Sequence, residues 1–126
     1  MRKIINVFAM VSMISLSMSS VSLAAEHIKV PELTPAANQG KLLFNKFCAQ
    51  CHGENAAGTD KGPSFIHRIY EPNHHGDASF LRAVQQGVRP HHWRFGAMPP
   101  VKDLPDDAVP FVVRYVRELQ KANGIF

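Results

Sequence analysis

The chain has 126 residues, 14 of them basic and 10 acidic, with a formal charge of +4 and 45% hydrophobic residues. That length holds one small domain and excludes a multidomain arrangement within it. The charge excess is slight, and no basic run is interleaved with stacking aromatics, which excludes nucleic acid as a partner on composition.

Met1-Arg2-Lys3 opens the chain with positive charge. An apolar run with interspersed serines follows, ending in Ser22-Leu23-Ala24-Ala25 before the first acid, Glu26. A basic start, an apolar middle and small residues at Ser22 and Ala24 predict a secretory signal peptide over residues 1–24, cut after Ala24, with Ala25 as the next choice. Asn6 and the six serines of the segment break the apolar run, which argues against an uncleaved membrane anchor. Cleavage takes Arg2 and Lys3 from the 14 basic residues and leaves 12 against 10 acidic ones, a charge of +2. Residues 25–126 are then a domain of 102 residues, small enough to gain much from a staple or an embedded group.

Thr34-Pro35 reads as an N-cap followed by a first-turn proline, opening a helix from Pro35 to Ala49. Ala36, Gly40, Leu43, Phe44 and Phe47 share its apolar face, where Gly40 permits close approach of another helix. Between Gly53 and Gly76 the chain is rich in Gly, Pro, Asn and His and reads as a loop. Asp77 is expected to cap a short helix over Ala78–Gln86, with Phe80, Leu81 and Val84 inward and Gly87 as its stop. The last helix is expected from Asp106 or Asp107 to Ala122. There Val109, Val112, Val113, Val116 and Leu119 repeat at helical spacing, and Pro110 falls in the first turn, where it is tolerated. No strand run and no internal repeat is evident, so the fold class is all-α.

The only two cysteines lie in Cys48-Ala49-Gln50-Cys51-His52. A disulfide between them would close a tiny loop and stabilise little. A thioredoxin-like pair needs a βαβ frame that this pattern lacks, and a structural zinc site needs a second ligand pair at regular spacing. Cys-x-x-Cys-His is the attachment signature of a c-type haem: both thiols reach the vinyl groups of one haem, and the next residue turns its imidazole onto the iron. A His/Met haem also needs a methionine sulfur on the other face. Once Met1, Met10, Met13 and Met18 leave with the signal peptide, Met98 remains, in Phe95-Gly96-Ala97-Met98-Pro99-Pro100, a stiff extended loop.

From Ala36 to Gln120 the chain resembles the monohaem class I cytochromes c of the bacterial periplasm. The motif at Cys48–His52 and the Met98-Pro99 pair come in the family's order. Gly40 and Phe44 match the glycine and aromatic that precede the haem motif on the N-terminal helix, and Val112 and Tyr115 match the residues of the C-terminal helix that cross it. Gly62-Pro63 matches the Gly-Pro whose proline carbonyl takes a hydrogen bond from the proximal histidine. The resemblance implies N- and C-terminal helices crossing, loops wrapped around one covalent haem, and a periplasmic single-electron carrier. Its haem c would be attached at Cys48 and Cys51, ligated by His52 and Met98 and supported by Pro63.

Its partners would be a redox protein donor and acceptor, met as a monomer free of the membrane after cleavage, or as the electron-accepting subunit of an oxidoreductase complex. Lys41, Lys46 and Lys61 near the haem motif are a candidate docking face for an acidic partner, or an ordinary solvated surface. His74-His75 and His91-His92 are loop pairs: solvated residues, metal ligands, or in the case of His91 or His92 an alternative sixth haem ligand. Trp93, Arg89 and Arg94 are candidates for the haem propionates or for ordinary packing. Two other functional classes stand beside the carrier: a haem sensor or small haem enzyme in which Met98 leaves the iron, and a non-haem redox or metal protein built on the two cysteines.

Overall fold

Thr34 and Pro35 start the first helix as their chemistry dictates. In the computed structural model, which describes residues 27–126, Thr34 is the N-cap of helix α1 (Pro35–Phe47) and its hydroxyl accepts from the Ala37 N–H. The signal peptide expected over residues 1–24 lies outside the described residues. Helix α1 stops two residues before the expected Ala49, at a break around Cys48, and a four-residue helix α2 (Ala49–His52) follows. The Cys-x-x-Cys-His segment therefore has a helical turn of its own.

Helix α3 (Asp77–Gln86) starts one residue earlier than expected. Gly76 is its N-cap and Asp77 its first residue, without a side-chain cap. The Asp77 carboxylate is drawn away from the cap position to accept from Arg117 Nε at 2.8 Å. A single turn over Asp106–Ala108 leads into helix α4 (Val109–Ala122), with Pro110 in its first turn. The loop after α2 also contains two short 3-10 turns, Glu54–Ala56 and Arg68–Tyr70. Where no strand was expected, one isolated antiparallel bridge joins Val88 to Met98.

The domain is all-helical, and its N- and C-terminal helices, α1 and α4, pack together. Gly40 sets how close they come: a Cβ there would lie 1.9 Å from the Phe111 carbonyl oxygen and 3.0 Å from Tyr115 Cβ. Any side chain at Gly40 forces the helices apart, an overpacking cost of about 1–3 kcal/mol. Fully buried Phe44, Tyr115, Val116 and Leu119 fill the contact, and burial of Phe44, Val116 or Leu119 stabilises by roughly 1.5–3 kcal/mol each. Ala37, not Ala36, is the fully buried alanine of α1, while Leu43 and Phe47 pack at the edge of the core. Outside the core the helix ends are tied by Glu118, whose carboxylate accepts from Thr34 N–H and Oγ1 at 3.0 and 2.7 Å.

Candidate functional site

Between the two terminal helices, α3 and the loops lies a largely apolar cavity of about 600 Å³. Cys48, His52, Pro63, Phe65, Val84, Met98, Val109 and Val112 line it, together with His74, His75, His91 and His92. Cys48, His52, Pro63 and Met98, singled out from the sequence, thus meet at one cavity. Cys51 is exposed and stands outside the lining.

His52 is buried at the end of α2. Its Nδ1 is 2.9 Å from the Pro63 carbonyl oxygen. A carbonyl only accepts, so Nδ1 carries the proton and donates, and Nε2 keeps its lone pair. Burial lowers the pKa of His52 while the bond to Pro63 opposes that shift, so the neutral, metal-ligating form is favoured. The Phe65 ring stacks on the imidazole at 4.2 Å between centroids, and Phe65 in turn makes edge contacts with Phe44, Tyr70 and Phe80.

The backbone behind this histidine is clamped. Thr59 Oγ1 donates to the Cys51 carbonyl at 2.6 Å, and the Gly58 N–H donates to the His52 carbonyl at 2.6 Å. Ser64 Oγ donates to the Ala56 carbonyl at 3.0 Å and holds the loop closed. No motif in the sequence marks Thr59, Ser64 or Phe65 for these roles. The one available signal was the density of Gly, Ser and Thr directly after the motif, which marks a tight turn without saying which carbonyls it would bind.

Cys48 is half-buried and Cys51 exposed, and no disulfide joins them. Burial, and then the neighbouring Cys51, push the Cys48 thiol up to about 11. Thiol-disulfide chemistry runs through an accessible, low-pKa thiolate, so Cys48 is poorly suited to it.

Met98 reaches the cavity from a different part of the chain. Its backbone exchanges two hydrogen bonds with Val88, at 2.9 and 3.0 Å, and the Val101 N–H donates to the Val84 carbonyl at 2.8 Å. Gly87 allows this seating: it ends α3 with φ of 72°, and a Cβ there would come within 2.4 Å of the Met98 carbonyl oxygen. Gly87 was read as a helix stop, but its closeness to Met98 was not legible from the sequence.

The histidine pairs come together in space. His74 Nε2 and His92 Nε2 are 3.3 Å apart, and the His91 and His92 rings lie 4.2 Å apart. Burial, then its bond to Ile69 and the positive neighbours His74, His91 and Arg117, set His75, with a net lowering of its pKa. Trp93 Nε1 donates to Tyr70 Oη at 3.1 Å, so its N–H is engaged in joining two loops. Arg89 lines the cavity and Arg94 does not. Lys46 lies over the ring of its neighbour Phe47, 4.8 Å from the centroid.

The family described as cytochrome c oxidase, cbb3-type, subunit III matches residues 35–116 of the chain. The chain belongs to this family. It is a cytochrome c domain of the monohaem class I type, and that membership implies a covalent haem c and haem-based electron transfer. The donor set fits such a group: two cysteines spaced for attachment, a neutral imidazole, a thioether and an apolar cavity. No match was found among curated proteins or among solved structures. Among the described residues no helix is long and apolar enough to cross a membrane.

Proposed function

We propose that this cytochrome c domain is a periplasmic single-electron carrier that holds one haem c through thioethers at Cys48 and Cys51, with His52 and Met98 as the two axial ligands. The observation that carries the reading is the arrival of His52 and Met98 at one apolar cavity from two separately anchored segments, one ring already fixed in its ligating tautomer. When bound, haem supplies one-electron exchange at its iron. The chain does the rest. Pro63 orients His52 and raises its basicity through the Nδ1 bond. Phe65, Val84, Val109 and Val112 keep water from the cavity, which favours the less charged reduced state and raises the potential. With protein ligands at both axial positions no coordination site is left for substrate, so the chain carries electrons and is not itself an enzyme.

Removal of residues 1–24 as a signal peptide would deliver residues 25–126 to the periplasm as a monomer without membrane insertion. There it would exchange electrons with a redox protein donor and acceptor. The family's name adds a place for it as the electron-accepting subunit of an oxidoreductase complex. The alternative, a haem sensor or small haem enzyme, requires Met98 to yield its position. The reduced protein is expected to keep its optical spectrum under carbon monoxide, while Met98→Ala binds the gas and has a lower potential. A prompt spectral shift in the parent protein would overturn the carrier reading in favour of the alternative. A variant that keeps the parent potential would show that a residue other than Met98 is the ligand.

A further inference from the structure

We propose that His74, His75 and His92, with His91 beside them, form a binding site for one divalent first-row transition-metal ion, separate from the haem iron. The ligand nitrogens of His74, His75 and His92 all lie within 4.8 Å of one another. The closest pair, His74 Nε2 and His92 Nε2, is separated by 3.3 Å. A tetrahedral ion with metal–nitrogen bonds of about 2.0–2.1 Å holds its donors roughly 3.3–3.4 Å apart. One edge of the coordination polyhedron is therefore already formed, and small side-chain rotations bring in the third donor.

The rings are also oriented for ligation. His75 Nδ1 donates to the Ile69 carbonyl and His91 Nδ1 donates to the Arg89 carbonyl at 2.8 Å. Each bond fixes the tautomer and leaves Nε2 with a lone pair, the outer arrangement that metal-ligating imidazoles commonly have. A lone hydrogen bond between His74 and His92 explains one contact of the cluster and leaves the convergence of His75 without a reason.

The loops that carry the rings are held in place from behind. The Arg117 guanidinium donates to the Tyr70 carbonyl at 2.7 Å and to the His75 carbonyl, and Gln120 Nε2 donates to Tyr70 O at 3.0 Å. On the other side Trp93 bonds Tyr70, joining the His91-His92 loop to the His74-His75 loop. Such a supporting layer keeps donors in place between binding events. An all-imidazole donor set selects zinc, copper or nickel over calcium and magnesium, which require oxygen, and the Irving–Williams order ranks Cu(II) above Zn(II).

The test uses the holoprotein, stripped with a chelator, loaded with zinc chloride or copper sulfate in separate samples, desalted and assayed for metal content. The parent is expected to keep one equivalent of either ion beyond its iron, to bind copper more tightly in competition with a chromophoric chelator, and to keep no magnesium. The His74→Ala/His92→Ala double variant should lose more than the roughly 10–100-fold in affinity that removal of an outer partner costs. His27→Ala, on an exposed residue that is not part of the cluster, should match the parent. Nitrogen hyperfine structure in the copper spectrum would identify the imidazoles, and a helical circular dichroism spectrum equal to the parent's in the double variant shows that it is folded. His74→Gln/His92→Gln, with the same loss of ligands and less loss of bulk, serves if the alanine variant does not fold. Retention of less than stoichiometric metal by the parent, or equal retention by parent and double variant, overturns the proposal. Metal content is read independently of redox behaviour, so failure here is distinct from failure of the electron-carrier reading.

Discussion

The two walls that bring His52 and Met98 to the cavity are built differently. His52 sits on helix α2, and its ring is bonded by Pro63 and covered by Phe65, while its carbonyl and that of Cys51 are clamped by Gly58 and Thr59. Met98 sits on an extended segment held by two backbone bonds to Val88 and one between Val101 and Val84. Its flanking residues Ala97, Pro99 and Pro100 are exposed. Segments with few buried contacts open at lower free energy than the core. The His52 wall is over-determined and the Met98 wall is not, so any opening of the site begins on the Met98 side.

The largest expected effect separates the two walls directly. His52→Ala removes the imidazole that Pro63 holds in its ligating tautomer at the end of α2, and the variant is expected to lose nearly all covalently bound haem. Met98→Ala should keep it. Haem-linked peroxidase staining of a denaturing gel, normalised to protein, reads both. Equal haem content in the two variants would show that the asymmetry has no consequence for assembly.

Gly87→Ala addresses the weaker wall alone. A Cβ at φ of 72° and 2.4 Å from the Met98 carbonyl oxygen must displace the Met98 segment, at a cost of about 1–3 kcal/mol in backbone strain and overpacking. The expected result is a protein that retains its haem and its helix content but loses the Met98-dependent spectrum and binds carbon monoxide when reduced. A variant with the parent spectrum would mean that the bridge to Val88 is not what seats Met98.

Thr59→Val tests the stronger wall at a single hydroxyl, which donates to the Cys51 carbonyl and accepts from the Lys61 N–H at 3.0 Å. The substitution removes the donor to the Cys51 carbonyl while keeping the shape of the side chain, and should lower stability by about 1 kcal/mol. It should leave the potential near that of the parent, because Pro63, Phe65 and Gly58 still hold His52. Denaturant unfolding and a redox titration on one preparation check both halves.

Much of the site was readable because its chemistry is local. Cys48, Cys51 and His52 are specified by spacing along one turn, and the helix ends near Thr34, Gly87 and Asn123 follow from capping and stop residues. Gly40 was readable as a point of close approach, though the group it approaches, the Phe111 carbonyl, was not. What escaped are contacts between residues distant in sequence whose types carry no pattern. Arg117 looks like a solvated residue of an amphipathic helix, yet it reaches Tyr70, His75, Asp77 and Gln120. Asp77 has the composition of an N-cap and is instead an ion-pair partner of that guanidinium. The two histidine pairs are plain in the sequence, but only the folding of both loops against Tyr70 brings them together.

The smallest expected effect concerns pH and falls on the histidine loops, not on the His52 ring that the stronger wall holds. The His75 pKa lies below its ordinary 6.5, mainly through burial, with His74, His91 and Arg117 adding positive charge and the bond to Ile69 acting in the opposite sense. Its stabilising contribution is therefore fully present above 6.5 and is lost as pH falls from there toward the lowered folded value, because the unfolded chain takes up the proton first. The metal-free holoprotein should lose unfolding temperature as pH falls below about 6.5, and His75→Gln should flatten that slope without abolishing it, since His92 is lowered as well, by desolvation and by its histidine neighbours. Ligation to iron would take His52 out of the titration, which leaves His75 and His92 as the histidines with lowered values in this range. A slope identical in parent and His75→Gln would assign the acid sensitivity elsewhere. Saturating zinc supplies an internal control: an ion held by the cluster competes with protons for the same nitrogens, so it should raise the unfolding temperature most near neutral pH and progressively less as the solution is acidified.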